Sequence, residues 1–314
     1  MREAVVIFGA TGFVGRNLVA WLSGKVARIV AVSRSGARVG GASECVPINQ
    51  LDDIRPLPAD AVVINLAAQR YDASRFDMAQ SDILATNVEI ADAIYRFCIS
   101  RGLREVRAAS SVAVYEAGLA LMDDRRPIDL NTTPNPNEAF YAWSKRWGEI
   151  VAKLYQDRFG VSTISFRLSN PYGPHDSVDP GHAHVLPAFV MRALAPADSF
   201  VIKGSPRVER DFVYIDDVCE TFEASLGWVG KTAAMNLCAG RTTTLYELAE
   251  TILAILGDQR PIVANDESLQ GVAARRSTNA MVIEATGKST FATLREGLIP
   301  TLAWYRDALA TSRS

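Results

Sequence analysis

The apolar run Ala4-Val5-Val6-Ile7-Phe8 passes directly into Gly9-Ala10-Thr11-Gly12-Phe13-Val14-Gly15, and few structures accommodate that junction. Five apolar residues followed by glycines three apart describe a buried strand that turns sharply into a helix. Gly9 permits the tight turn, Gly12 lets backbone approach a ligand with no Cβ in the way, and Gly15 lets the helix lie on the strand. The first N–H groups of that helix and its positive end then face outward, which suits the pyrophosphate of a dinucleotide. A purely structural glycine turn has the same composition, so this segment alone leaves both readings open.

Tyr141-Ala142-Trp143-Ser144-Lys145 places a phenol and an ammonium four residues apart. On a helix they share a face, with Cβ atoms roughly 5–6 Å apart. A cation there favours the phenolate and moves a group of ordinary pKa about 10 toward the working pH, as a general acid/base for an alcohol or ketone requires. The plainer alternative is a surface Tyr and Lys on an amphipathic helix. The glycine turn upstream of the pair gives the chemical reading its weight.

Strand and helix patterns alternate along the first half: Ala4–Phe8, a helix from Val14, Ile29–Val32, Cys45–Ile48, Ala61–Leu66, a long helix over Ile83–Arg101, Val106–Ala109, a helix over Tyr141–Phe159 and a strand at Val161–Arg167. This rhythm predicts an α/β fold with a Rossmann-type, doubly wound parallel sheet. After Arg167 the chain becomes rich in Pro, Gly, Asp and His through Pro187, with a helical piece at Ala188–Leu194 and a strand-like piece at Val201–Gly204. With 314 residues, 48% of them hydrophobic, the chain has ample material for one or two cores. A net charge of −2 offers no basic field for nucleic acid. The longest apolar runs fall short of a membrane span, and Glu3 with the three glycines argues against a signal peptide. Cys45, Cys98, Cys219 and Cys238 form no C-x-x-C pair and read as buried thiols of a reducing, cytoplasmic compartment.

In these motifs, taken with Asn65-Leu66-Ala67-Ala68, Thr86-Asn87-Val88, Ser110-Ser111-Val112-Ala113-Val114-Tyr115, Arg167-Leu168-Ser169-Asn170-Pro171-Tyr172-Gly173-Pro174 and Arg210-Asp211-Phe212-Val213-Tyr214-Ile215-Asp216-Asp217-Val218, the chain resembles the extended short-chain dehydrogenase/reductase family. These are NAD(P)-dependent epimerases, dehydratases and reductases of nucleotide sugars, and the resemblance covers nearly the whole length. It implies a dinucleotide-binding domain of residues 1–170 with 206–240, in which Arg210–Val218 and Ala234–Cys238 return to the cofactor side. A smaller substrate domain, 171–205 with 241–314, interleaves with it.

The resemblance assigns cofactor contacts to Gly9, Thr11, Gly12, Phe13, Val14, Gly15, Ser33, Arg34, Leu66, Ala67, Ala68, Asn87, Tyr141 and Lys145, with Asn49 where the family often has an adenine-contacting Asp. Ser33-Arg34-Ser35 holds no acid to accept from a ribose 2′-OH, and a guanidinium between two hydroxyls suits a 2′-phosphate, so NADP is expected, with NAD the alternative. Ser111 is implied to orient the sugar oxygen, Tyr141 to transfer the proton, and Lys145 to lower the phenol pKa and hold the nicotinamide ribose. Arg210 is implied to grip the nucleotide diphosphate, with Asn170 a nearby polar contact and Arg275 or Arg276 a second anion contact. Lys203 and Arg207 read as solvated charges. His182 and His184 lack further ligands at metal spacing, so no metal is expected.

Family members that dehydrate the sugar resemble one another in carrying Asp-Glu after this Ser. Here Val112-Ala113 cannot transfer protons. The expectation is therefore hydride transfer at C4 of a nucleoside-diphosphate sugar, by a 4-keto-sugar reductase or alternatively a 4-epimerase. A dinucleotide-sensing or assembly protein without catalysis is the alternative outside enzymes, and intact Ser111, Tyr141 and Lys145 argue against it. The resemblance also implies a homodimer through the two long helices, which present Ile90, Ile94, Phe97, Trp143, Trp147 and Ile150, some of them toward the chain's own sheet. Trp143, Trp147 and Tyr155 read as packing residues rather than stacking platforms.

Overall fold

The computed structural model describes residues 3–69, 81–181, 183–264 and 274–311. Strand β1 (Ala4–Phe8) is buried along its whole length and leads through the glycine turn into helix α1 (Phe13–Leu22). There follow β2 (Arg28–Ser33), β3 (Glu44–Pro47), β4 (Val62–Asn65), α2 (Ser81–Ser100), β5 (Glu105–Ser111), α3 (Ala139–Phe159) and β6 (Ser162–Leu168). The second half adds β7 (Asn170–Tyr172), α4 (Val185–Leu194), β8 (Phe200–Ile202), β9 (Glu209–Arg210), β10 (Phe212–Tyr214), α5 (Ile215–Ser225) and β11 (Ala233–Leu237). The chain ends with β12 (Thr243–Thr244), α6 (Leu245–Leu256), β13 (Ile262–Ala264), α7 (Ala280–Thr286) and α8 (Leu294–Thr311).

Seven strands form one sheet in the order β11-β6-β5-β4-β1-β2-β3, and every pairing in it is parallel. The order reverses between β1 and β4, so a crevice opens beyond their carboxyl ends, where ligands of such sheets bind. Side chains alternate between the two faces. Val5 and Ile7 face α1 and α5, through Leu18, Leu22, Val218 and Phe222. Ala4, Val6 and Phe8 face α2 and α3, through Ile94, Phe97, Val151 and Ala152. The first of these cores runs on without a break into α4, α6 and α8.

Outside the sheet lie three two-stranded ladders, β10-β7, β12-β9 and β13-β8. Ala233–Leu237 joins the sheet beside β6, whereas Glu209–Arg210 and Phe212–Tyr214 pair outside it. Some expected boundaries shift. The strand expected to reach Ile48 stops at Pro47, where a 3-10 turn begins. The helix expected from Ala188 starts at Val185, since Pro187 fits a first turn whose N–H groups have no helical partner.

Of the residues read as presented to a partner or to the chain's own sheet, Ile94 and Phe97 are buried against the sheet, and Ile90 packs beside them. Two other expectations about exposure are corrected. Trp147, read as packing, is 41% exposed, and with Phe140 and Leu154 it leaves an apolar stripe along α3. Cys45 is half-buried rather than buried.

Candidate functional site

The backbone at the end of β1 leaves no room for side chains. Gly9 has φ +81°, and a Cβ on it would lie 2.7 Å from the amide nitrogen of Ala67. A Cβ on Gly15 would lie 2.3 Å from the Gly9 carbonyl oxygen, so α1 can approach the strand only with glycine there. Gly12 caps α1 without a side-chain hydrogen bond, and no acidic residue stands in the first turn. The positive end of α1 is thus neither capped nor countered, as an anion site requires. Thr11 and Val14 border this turn half-buried, and Phe13 is buried beneath it.

Neighbouring strand ends complete the cradle. Gly9 and Ala10 donate backbone N–H groups to the Val32 carbonyl, which brings the turn against β2. At the next position the Ser33 hydroxyl is enclosed without a hydrogen-bond partner, and Arg34 is exposed beside it. Asn49 stands exposed on the 3-10 turn after β3. Leu66, Ala67 and Ala68 continue half-buried from β4, with Asn65 Oδ1 accepting from the Ala67 N–H at 3.1 Å. A Cβ-free backbone at the phosphates and an orphaned hydroxyl at the end of β2 fit a dinucleotide.

Two strands along, Ser111 ends β5. Its Oγ accepts from the Ala113 N–H at 3.1 Å and caps the 3-10 turn Val112–Val114. A hydroxyl that accepts there still has its proton to donate. Val112 and Ala113 are buried. On α3 the Lys145 ammonium lies 5.6 Å from the centre of the Tyr141 ring and donates to the Ala109 carbonyl at 2.9 Å. Burial pushes the Lys145 pKa down to about 8, while the charge of Glu149 works in the other direction. Asn87 ties the helix to the β4 side. Its amide accepts from the Gln69 N–H at 2.7 Å and donates to Ser144 Oγ at 3.2 Å, and Ser144 donates to the Tyr141 carbonyl at 2.7 Å.

Behind these residues lies a polar layer that the motifs do not reveal. A cavity of about 40 Å³ is bordered by Ser110, Ser144, Lys145, Glu149 and Ser165, among others. Arg167 grips Glu149 through both carboxylate oxygens, at 2.9 and 2.7 Å, and donates to the Tyr115 hydroxyl at 2.9 Å. Tyr115 donates to Asn236, which donates in turn to the carbonyls of Met122 and Thr278. Glu149 carried a sequence signal, its place one helical turn beyond Lys145; Asn236 carried none. A wider groove of about 430 Å³, between Leu194, Leu256 and Leu309, contains none of the catalytic candidates.

Of the residues expected to grip the diphosphate, Arg210 and Arg275 come together. Burial lowers the Arg210 pKa to about 10, and the Arg275 charge lowers it further against the opposing Glu138. Arg275 is ion-paired with Glu138, which directly precedes α3. Arg276 instead pairs with Glu209 at 2.9 Å and is mostly exposed. Between the two arginines, Arg275 is the one that shares Arg210's surroundings. Asn170 donates its amide to the Asp211 carbonyl at 2.8 Å, fastening β7 to β10. Lys203, Arg207 and His184 are exposed, and His182 lies outside the described residues. Among the described residues no three His, Cys, Asp or Glu gather as metal ligands, and no helix is long and apolar enough to cross a membrane.

The model of the NAD dependent epimerase/dehydratase family matches residues 5–238. A dTDP-4-dehydro-6-deoxy-D-allose reductase of Streptomyces sp is 27% identical, across 97% of this chain and 96% of that one. A dTDP-4-dehydro-6-deoxyglucose reductase of Escherichia coli is 25% identical, across 84% and 87%. Among solved structures, the UDP-glucose 4-epimerase of Thermotoga maritima with UDP-glucose superposes with a TM-score of 0.82 at 22% identity, covering 98% of this chain and 99% of that one.

Proposed function

The chain belongs to the NAD dependent epimerase/dehydratase family, and from that premise we propose that it transfers hydride at C4 of a nucleoside-diphosphate sugar, as a 4-keto-sugar reductase. The observation that carries this reading is the placing of Ser111, Tyr141 and Lys145 on β5 and α3 beside the glycine cradle, with buried Val112-Ala113 where a dehydratase needs an acid and a base. The names of the reductase relatives support the direction of the reaction.

Gly9–Gly15 would hold a nicotinamide cofactor, which when bound would supply the hydride. Ser111 donates a hydrogen bond to the C4 oxygen and fixes its orientation, while Tyr141 delivers the one proton that this oxygen takes up as the alcohol forms. Lys145 lends its charge to the phenol, which makes the tyrosine a competent acid/base near neutral pH. Arg210 and Arg275 hold the diphosphate, so the sugar reaches Tyr141 in one orientation. Residues 171–205 and 241–314 make up the substrate domain and residues 1–170 with 206–240 the cofactor domain, whose β9 and β10 border the substrate side of the cleft.

NADP is the cofactor this reading favours, because Arg34 stands exposed beside Ser33 with no carboxylate to repel a 2′-phosphate. Arg34→Ala should then weaken NADPH binding about tenfold more than NADH binding in a fluorescence titration. A second copy of the chain covers the stripe Phe140, Trp147 and Leu154, and sedimentation at micromolar concentration tests that pairing. The four free thiols accord with a reducing cytoplasm.

The decisive assay offers NADPH and a panel of 4-keto-6-deoxy nucleotide sugars. The reading expects NADPH to be consumed in step with the keto sugar. Interconversion of C4 epimers with no net cofactor change would replace it with an epimerase, and a dehydrated product would overturn the argument from Val112 and Ala113.

A further inference from the structure

The cavity behind Lys145 is bordered by a carboxylate to which the mechanism gives no part. Glu149 lies one helical turn beyond Lys145 on α3, and both residues border the same small cavity. Glu149 Oε1 accepts from Ser110 Oγ at 2.7 Å and from Arg167 Nε at 2.9 Å, and its Oε2 accepts from Arg167 Nη2 at 2.7 Å. Such two-pronged, charge-assisted bonds fix orientation as well as charge. Arg167 does not border the cavity, so Lys145 meets the negative end of the pair.

We propose that Glu149 is a positioning residue for the reaction: clamped by Ser110 and Arg167, it keeps a fixed negative charge behind Lys145 and so holds that ammonium protonated beside the Tyr141 phenol. This rests on the reading of Tyr141 and Lys145 as the acid/base pair. Buried lysines lose their protons readily when no counter-charge is near. Among the described residues, the other groups around Lys145 do not supply one. On α3, Tyr141 is the phenol being served, and Arg146 turns to the carbonyls of Val114 and Thr132. Tyr95 on α2 is a phenol kept neutral by burial, and Arg167 on β6 is a cation. The turn Val112–Val114 carries no ionisable group, β5 offers the Ala109 carbonyl, and Glu138 is engaged by Arg275.

Glu149→Gln keeps the shape of the side chain and removes its charge. Turnover followed against pH should lose its basic limb about one unit or more lower than in the parent enzyme, a roughly tenfold deficit at pH 8 that shrinks toward pH 6. Glu149→Asp should restore most of the profile. Because an unpaired Arg167 threatens the fold, Glu149→Gln is also combined with Arg167→Met, which removes both charges of the buried pair and should show the same displaced limb. A deficit equal at every pH, or a double variant with the parent profile, overturns the proposal. Tyr141→Phe in the same assay separates the two readings. Full turnover in that variant removes the acid/base assignment itself, whereas an inactive Phe variant beside an unmoved Glu149→Gln limb sinks only the role of Glu149.

Discussion

The cofactor side and the substrate side of the cleft are held together by different means. On the cofactor side, the end of β1 is placed by main chain against main chain, through the parallel register with β2 and β4 and the Cβ-free approach of Gly15 to Gly9. On the substrate side the ladders are two or three residues long, and side chains clamp them. The Asp211 carboxylate accepts from Ser169, Ala239 and Gly240, and thereby ties the turn after β11 to β10. A main-chain scaffold admits few changes of shape but many of side chain; a clamp of side chains has the opposite tolerance.

Substitution at the main-chain scaffold should have the largest effect. Gly15→Val sets a branched side chain where even a Cβ lies 2.3 Å from the Gly9 oxygen. Thermal unfolding should show a loss of about 3 kcal/mol or more, and cofactor binding should disappear with it. Unimpaired cofactor binding by this variant would break the distinction between the two sides. Tyr141→Phe should come next, with turnover down at least about 100-fold and cofactor affinity retained, measured by steady-state kinetics and titration. That result would show that the scaffold binds cofactor independently of the chemistry.

The substrate side should respond more mildly, and through pH. Burial raises the Asp211 pKa to about 6, against the N–H donors of Ala239, Gly240 and Arg241 and the Ser169 hydroxyl, which lower it. A carboxyl raised on folding binds its proton more tightly in the folded state. Its contribution is full below about pH 4 and is lost as pH climbs through 6. The unfolding free energy should therefore fall by up to about 3 kcal/mol across that window in urea titrations. Asp211→Asn should flatten the slope, and at pH 7 its amide meets N–H donors at a cost of about 1–3 kcal/mol. Smallest of all, Arg276→Ala removes an exposed pair with Glu209 and should leave the urea midpoint almost unmoved. A clear fall in the midpoint would mean that the β12-β9 ladder depends on that pair.

The same division governs what could be read in advance. The glycine turn, the alternation of strands and helices and the Tyr141/Lys145 pair are local patterns, so the residues that carry them stand close together in the chain. Asn236 reaches back 112 residues to Asp124, and Arg275 reaches back 137 to Glu138. Such pairings leave no periodic trace. The apolar face of α2 was evident, but periodicity does not say which neighbour a face meets. Ile94 and Phe97 therefore looked as suitable for a partner as for the sheet that buries them. Arg275 and Arg276 were indistinguishable by position, and the carboxylates opposite them separate the two.

On β5, two consecutive serines have different duties: Ser111 caps the turn Val112–Val114, and Ser110 donates to Glu149. A strand turns successive side chains to opposite faces, so their assignment is one of parity. A single residue gained or lost within the strand would exchange odd for even. The two hydroxyls would trade faces although both serines remain, so it is the count of residues along β5, as much as their identity, that keeps Ser110 on Glu149 and Ser111 at the turn.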